Sequence, residues 1–167
     1  MSHTHDGTYF TQVEEGVFEA DAERGVVETG EELDVGGKVV IRVPRQNSDS
    51  LVKGIRFIKT PWNTGVVPPT GSYRAKVIHF EVEVEAGADK DGTVPFDPPI
   101  TLEVPYTSEL EGFNLGFFDD KSKIWKTFGK DEIFGHIPQC EIRPDLRIAI
   151  VSGIKRWADP HVGWHAV

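Results

Sequence analysis

Close-set carboxylates, six histidines and one cysteine are the groups in this chain of 167 residues that could perform chemistry. Asp89, Asp91 and Asp97 surround Gly92, and clustered carboxylate oxygens beside a glycine bend are ligands that Ca²⁺ prefers. The stretch lacks the further alternating acid and the closing glutamate of a complete calcium loop, and Asp-Gly is a common turn dipeptide. We therefore predict a plain turn and no metal site, with these three aspartates as the candidates if a cation binds.

A second metal hypothesis rests on histidines. The residues concerned are His79, His136, His161 and His165. The last two are four residues apart, a spacing that would place both on one helix face for zinc, but Pro160 and Gly163 disfavour that helix. A cupin-like barrel, in which adjacent strands supply histidine ligands, is the second alternative, behind the predicted function and a first alternative that need no metal.

Cys140 follows His136 by four residues, and a nucleophilic thiolate would need that imidazole or another base within hydrogen-bond reach. Free cysteines are among the most frequently buried residues, so we predict a structural role. The sequence contains no Gly-x-Ser-x-Gly, phosphate-cradling glycine loop, His-Glu-x-x-His or dinucleotide fingerprint. These features predict a protein without catalytic activity and without a cofactor.

The C-terminal segment 152–167 is unusually apolar, with Trp157, Val162 and Trp164 beyond the last obvious strand. Large apolar side chains at a chain end require cover, because an uncovered terminus usually frays. They either fold back onto their own domain or insert into a neighbouring subunit, where aromatic anchors dominate binding energy. The three residues are the predicted interaction site.

A sugar-stacking platform is the first alternative. Trp62 lies in a loop-like stretch, and Tyr73 and Trp157 could join it, since an exposed aromatic ring can stack on the face of a pyranose. A tryptophan in a loop can equally cover the core of its own domain, so the sequence leaves both interpretations open.

The charge of the chain is unevenly distributed. The net charge is −9, and residues 1–37 hold ten acids and one base, so the remaining residues carry 17 acids and 17 bases. A nucleic-acid-binding protein needs clustered lysine and arginine to displace counterions from phosphates, and neither part offers such a block. We therefore predict no nucleic-acid partner, and the acidic segment is either a solvated face or a docking surface for a basic protein.

The location of the protein is predicted from what the sequence lacks. Its apolar runs fall far short of the roughly 20 residues that cross a bilayer, so no membrane partner is expected. Its first residues, MSHTHDGT, have no basic and apolar regions of a secretion signal, and one cysteine suits a reducing compartment. The prediction is a cytoplasmic protein, with a secreted protein that has lost its leader as the alternative.

Short alternating runs dominate the rest of the sequence. In 73–85, for example, Ile78 and Phe80 alternate with charged or polar residues, which is the two-residue period of a strand with one wet face. Nine such runs occur: 8–14, 24–30, 38–43, 51–58, 73–85, 99–104, 113–118, 123–128 and 147–154. Glycine, proline and aspartate clusters separate them. The pattern predicts one domain, 1–167, folded as an antiparallel immunoglobulin-like β-sandwich of about nine strands.

The stretch 95-PFDPPITLEVPY-106 is the most sharply bounded of these strands. Proline cannot donate to a strand ladder, so its prolines should bracket a strand at an edge or corner of the sandwich. Ile100, Leu102 and Val104 should pack inward. The run 147–154 is apolar on both faces and should be a central strand covered on both sides.

Residues 96–128 combine a Phe-x-x-Pro-Ile-x-Leu-x-Val-Pro-Tyr strand with 115-LGFF-118 and then Trp125. This arrangement resembles the β-sandwich core of ZU5-type domains and related immunoglobulin-like bacterial modules. The resemblance implies a non-catalytic module for protein contact or autoinhibitory docking, and it includes no site residue. The predicted function is accordingly protein interaction or assembly, with a protein partner or a homo-oligomer, followed by carbohydrate binding and then the cupin-like metal protein.

Overall fold

The computed structural model describes residues 8–21, 24–26, 32–34, 36–47, 55–60, 76–84, 93–158 and 160–165, and these form strands and turns with one 3₁₀ turn at Ser108–Leu110. The strands are β1 Thr8–Tyr9, β2 Thr11–Glu14, β3 Val17–Asp21, β4 Arg24–Val26, β5 Glu32–Asp34, β6 Lys38–Arg42, β7 Ile55–Thr60, β8 Lys76–Val84, β9 Val94–Pro105, β10 Asn114–Asp119, β11 Ile124–Thr127, β12 Gln139–Arg143, β13 Ile148–Trp157 and β14 His161–His165. None of the described segments is a helix with the length and apolar character needed to cross a bilayer.

Twelve of these strands form two antiparallel six-stranded sheets. Sheet A has the order β1-β7-β8-β14-β10-β11, sheet B has the order β12-β13-β9-β6-β3-β2, and β4 and β5 form a separate pair. The predicted all-β sandwich is confirmed, but the described strands number fourteen instead of about nine. Strands β3, β5, β12 and β14 were not predicted, and the run 8–14 divides into two strands at Phe10.

One hydrophobic core joins the inward faces of both sheets. Ile78, Phe80, Leu115 and Phe117 reach it from sheet A. Val39, Ile41, Ile100, Leu102, Val104, Ala149, Val151 and Ile154 reach it from sheet B. Most of these positions alternate along their strands, because successive side chains of a strand point to opposite faces. Ile154 departs from the alternation where the pairing of β13 with β9 shifts after Val151.

Strand β9 lies between β13 and β6, so the prediction of an edge position for 95–106 was wrong. Its inward residues are buried as predicted, with Leu102 exposing 1% of its surface. Pro98 and Pro99 lie inside the strand, where the pairing of β9 with β13 shifts between Ile100 and Pro95. An irregular stretch of ladder tolerates residues that cannot donate a hydrogen bond, so an interior strand can hold them.

Strand β13 is interior to sheet B, between β12 and β9, as predicted for 147–154. Its cover is one-sided, since Ala149 and Val151 are fully buried while Ile148 and Ile150 on the outer face are half-buried. The prediction of cover on both faces was therefore wrong for the described residues.

Candidate functional site

The predicted interaction residues lie inside the protein. Trp157, Val162 and Trp164 expose 2%, 0% and 1% of their surfaces. Strand β14 inserts between β8 and β10, and the ring of Trp164 packs 5.1 Å from that of Tyr106, between centroids. The prediction of a partner-facing tail is thus corrected. Trp157 ends β13 in sheet B, and β14 carries Val162 and Trp164 into the middle of sheet A, so these residues fold back onto their own domain, the other outcome that the sequence allowed.

The predicted sugar platform is not assembled by the described residues. Trp157 is in the core, where its ring has no surface for a ligand, and this corrects its assignment as a stacking residue. Trp62 and Tyr73 lie outside the described residues.

Two of the described histidines are opposite each other on neighbouring strands, and the other two have different surroundings. His161 is the register partner of His79 between β14 and β8, whereas His136 closes a turn with Ile133. His165 is buried, and its Nε2 lies 3.3 Å from the hydroxyl oxygen of Thr127. No group of three or more potential metal ligands converges among the residues that the structure describes.

His136 performs a structural task. Its Nε2 accepts a hydrogen bond of 2.9 Å from the backbone N–H of Lys155, continuing the pairing of β12 with β13 beyond Gln139. Partial burial lowers the pKa of this imidazole, which favours the neutral form that can accept this bond. A neutral imidazole committed to a backbone donor is a poor zinc ligand at Nε2.

One of the three predicted aspartates, Asp97, lies within the described residues. Asp89 and Asp91 lie outside the described residues. Asp97 is exposed, and its backbone N–H donates to the side-chain oxygen of Gln46 at 2.8 Å while its carbonyl accepts from the N–H of Asn47 at 2.7 Å. These bonds fix the local backbone and involve no carboxylate oxygen.

Cys140 packs against the core from β12, and burial raises the pKa of its thiol to about 11. A thiol with this pKa is almost entirely protonated at neutral pH, so it is a weak nucleophile. This arrangement agrees with the structural role that the sequence predicts.

An open cleft of about 380 Å³ lies beside the β10–β11 hairpin and the turn at Phe134 and Gly135. Asp119 lines it, together with Lys126, whose Nζ lies 3.1 Å from the Asp119 carboxylate. The Ser122 hydroxyl donates to the same carboxylate at 2.5 Å. That hydrogen bond, with help from Lys126, lowers the pKa of Asp119 to about 2. The carboxylate therefore acts as a fixed charge at neutral pH and is a poor general base.

We expect Asp119→Asn to lower the free energy of unfolding by about 1 kcal/mol at pH 7, after allowance for solvent screening. Because the folded-state pKa is depressed, this stabilisation is present above the ordinary value of 3.8 and disappears as the pH falls through about 2. Denaturant titrations between these pH values should show the wild type converging on the variant. Asp120→Asn is the matched control, since Asp120 is exposed and its carboxylate lies 4.0 Å from the Nζ of Lys123, a longer contact than that of Asp119 with Lys126. An equal loss of stability in both variants would contradict the stabilising role of the Asp119 carboxylate.

One of the two edge strands of sheet B, β12, has exposed apolar side chains in and beside it. Strand β12 ends the sheet, with no described strand beyond it. Ile137 before it, Ile142 within it and Leu146 in the following turn are exposed by 57%, 37% and 59%. Natural proteins commonly limit pairing at such edges with charged residues or proline, because unpaired backbone groups invite another chain. Strand β12 has both features, with Glu141 and Arg143 within it and Pro138 and Pro144 at its ends, so any partner strand must match these charges and pair between the two prolines.

The hydrogen-bond pattern of β13 determines where its backbone groups point. The N–H of Tyr106 donates to the carbonyl of Arg147 at 3.0 Å, which makes these two residues a hydrogen-bonded pair. Hydrogen-bonded and non-hydrogen-bonded pairs alternate along an antiparallel ladder. The next pair, Pro105 with Ile148, is therefore a non-hydrogen-bonded pair, which agrees with the absence of an N–H on proline. The N–H and C=O of Ile148 consequently point toward β12.

The same alternation identifies the groups that face the open edge. Ile148 is opposite Arg143, and Ile150 is opposite Glu141, so the backbone groups of Arg143 and Glu141 point toward β13. Successive residues of a strand direct their N–H and C=O to opposite sides. The N–H and C=O of Ile142 therefore point away from β13, toward the edge that no described strand occupies.

Charge alternates along this edge. Glu141 and Arg143 share the outer face of sheet B, while Ile142 belongs to the inner face with Cys140. Arg143 also bonds Asp145 in the following turn, with nitrogen-to-oxygen distances of 3.2 and 3.3 Å. The edge thus presents a backbone donor and acceptor, an apolar side chain and one charge of each sign.

Sequence reasoning missed this site, although a signal was present. Cys140 and Ile142 alternate with Gln139, Glu141 and Arg143, which is the two-residue period of a strand. The run is only five residues long and mostly polar. Only the sheet order identifies it as an edge strand.

Comparisons of this chain with family models, curated proteins and solved structures gave no match.

Proposed function

We propose that this chain is a non-catalytic protein-interaction module that binds an extended segment of a partner along the open edge of β12. The outward N–H and C=O of Ile142 carry the proposal, because a partner strand that pairs with them would satisfy both groups. The exposed Ile137 and Leu146 at the ends of this strand supply apolar contacts. The partner's main chain provides affinity and its alternate side chains provide specificity.

The other chemistry of the described residues favours binding over catalysis. The Cys140 thiol has a raised pKa, the His136 imidazole serves a backbone donor, and the Asp119 carboxylate is already engaged by hydrogen bonds and Lys126. The resemblance of residues 96–128 to ZU5-type modules, which serve protein contact, agrees with this proposal. The carbohydrate-binding alternative is weaker, because Trp157, one of its three predicted stacking residues, is buried.

A random peptide library displayed on phage and panned on the immobilised chain tests the proposal. We expect enriched peptides with alternating apolar residues, bound at least about tenfold more weakly by Ile142→Pro, which removes the outward donor. This proline should be tolerated, because the N–H that it deletes makes no bond to β13. Affinity would be measured by titration calorimetry with the synthetic peptide.

The same substitution on two edges provides the control. Ile142→Lys places a charge on β12, an edge strand of sheet B, whereas Ile124→Lys places one on β11, an edge strand of sheet A, where the isoleucine is 53% exposed. We expect only Ile142→Lys to abolish peptide binding. Panning that enriches no peptide, or peptides that bind all variants equally, would refute the proposed edge.

A further inference from the structure

We infer that the partner strand at this edge is β12 of a second copy, so that two molecules join their B sheets across a two-fold axis. This inference rests on the proposed function and adds the identity of the partner. An antiparallel strand paired with itself is self-complementary only in registers where each charge meets its opposite. The sequence of β12, QCEIR, has an acid and a base two residues apart, on either side of Ile142.

The register centred on Ile142 has this property. Ile142 of one copy then lies opposite Ile142 of the other, and Glu141 lies opposite Arg143 twice by symmetry. Opposite charges directly across an antiparallel pair are stabilising, whereas like charges are destabilising. A register centred on Glu141 would place two glutamates face to face, so charge selects the first register.

Backbone geometry favours the same register. The N–H and C=O of Ile142 face the open edge, as the ladder of β13 requires. Two such residues placed opposite each other form a hydrogen-bonded pair, in which each N–H donates to the other's carbonyl. The partly exposed Ile142 side chains then meet on the inner face, beside the core.

The ends of the strand also match. An antiparallel arrangement brings the turn that follows β12 in one copy, with the exposed Leu146, beside the start of β12 in the other, near the exposed Ile137. Pro144 lies opposite Cys140 of the second copy, and its missing N–H ends the ladder there. All three exposed apolar residues of this edge therefore have a place in the interface.

The interface is short, so the association should be reversible. Five residues of one strand cover less area than the roughly 800 Å² per partner of a standard stable complex. We therefore expect a dissociation constant in the micromolar range, with monomer and dimer exchanging as the protein is diluted.

Sedimentation velocity of the full chain, from about 5 to about 500 µM, tests the inference across the expected range of dissociation constants. The wild type should shift from monomer to dimer. Glu141→Arg and Arg143→Glu should each weaken the dimer about tenfold or more, because both opposed pairs become repulsive. The double variant Glu141→Arg/Arg143→Glu should recover the dimer, since it restores opposite charges in that register alone.

Each outcome has a defined meaning. A wild type that stays monomeric throughout, or a double variant no better than the single ones, overturns the second-copy inference. The peptide experiment separates this failure from that of the proposed function. If the selected peptides bind the wild type and lose affinity for the Ile142→Pro variant, the edge of β12 still binds an extended segment, and only the identity of the partner is wrong. Thermal melts verify folding of each variant, and if Arg143→Glu is unfolded because it loses Asp145, then Ile142→Pro must still abolish the dimer.

Discussion

Trp164→Ala should lower the free energy of unfolding by about 3–5 kcal/mol, because it empties a large volume in the middle of the core. The indole is 1% exposed, packs against Tyr106 across the two sheets and lies on β14, the strand that joins β8 to β10. Its loss leaves a cavity at the place where sheet A is held together. The measurement is chemical denaturation followed by circular dichroism, which does not depend on the deleted fluorophore.

Trp125→Ala is the matched control for this prediction, because it makes the same change on β11. Trp125 is half-buried and contacts Phe118 and His165 on the outer face of sheet A, so we expect at most about half the loss seen for Trp164. Equal losses in the two variants would show that Trp164 is not a central element of the core.

Gly116→Ala is expected to destabilise the protein by about 2–4 kcal/mol, although it adds a single methyl group. A Cβ at this position would collide with the backbone carbonyl oxygen of Lys126 and lie 2.5 Å from Cδ2 and Nε2 of His165. Atoms this close cannot be accommodated without separating β10 from β11 or expelling the imidazole. Thermal unfolding, together with the NMR signals of His165, would detect both effects.

Gly112→Ala separates steric crowding from the general cost of replacing glycine. Its Cβ would meet nothing within 4 Å, but Gly112 has a φ of +87°, so strain of about 1 kcal/mol is expected. A loss for Gly116→Ala no larger than that of Gly112→Ala would contradict the close packing of His165 over β10.

The open edge of β12 follows from the pairing of its neighbour in sheet B. Strand β13 pairs with β9 on one side and with β12 on the other, and no described strand follows β12. An exposed edge with an apolar residue facing the core side is a liability that proteins can convert into a binding surface. For this reason we place the proposed function there and not in the cleft, where Lys126 already pairs with the Asp119 carboxylate.

Local alternation predicted much of the fold. The buried residues Val39 and Ile41, then Leu102 and Val104, and then Leu115 were all assigned to the correct face. This succeeded because successive side chains of a strand point to opposite sides, so the apolar positions of a short run show which of its side chains face the core. The strands at 139–143 and 161–165 were missed, since the first is mostly polar and the second follows a proline at the end of the chain.

The candidate site was not predictable to the same extent. Exposed isoleucine and leucine residues are common and indicate nothing by themselves. The position of Ile142 becomes informative only when β12 is known to be an edge strand and when the hydrogen bond from Tyr106 to Arg147 shows which way the backbone groups of β13, and hence the N–H of Ile142, point.

The sequence by itself determined that this chain forms strands with one apolar face, because the two-residue alternation of apolar and polar side chains depends only on neighbouring residues. Only the tertiary structure decided that β14 closes the middle of sheet A, that β9 is interior and that β12 remains open. Strand pairing depends on contacts between residues far apart in the chain, and many pairings satisfy the same local pattern. The choice among them comes from how the two sheets together bury Trp157, Trp164 and the other core residues.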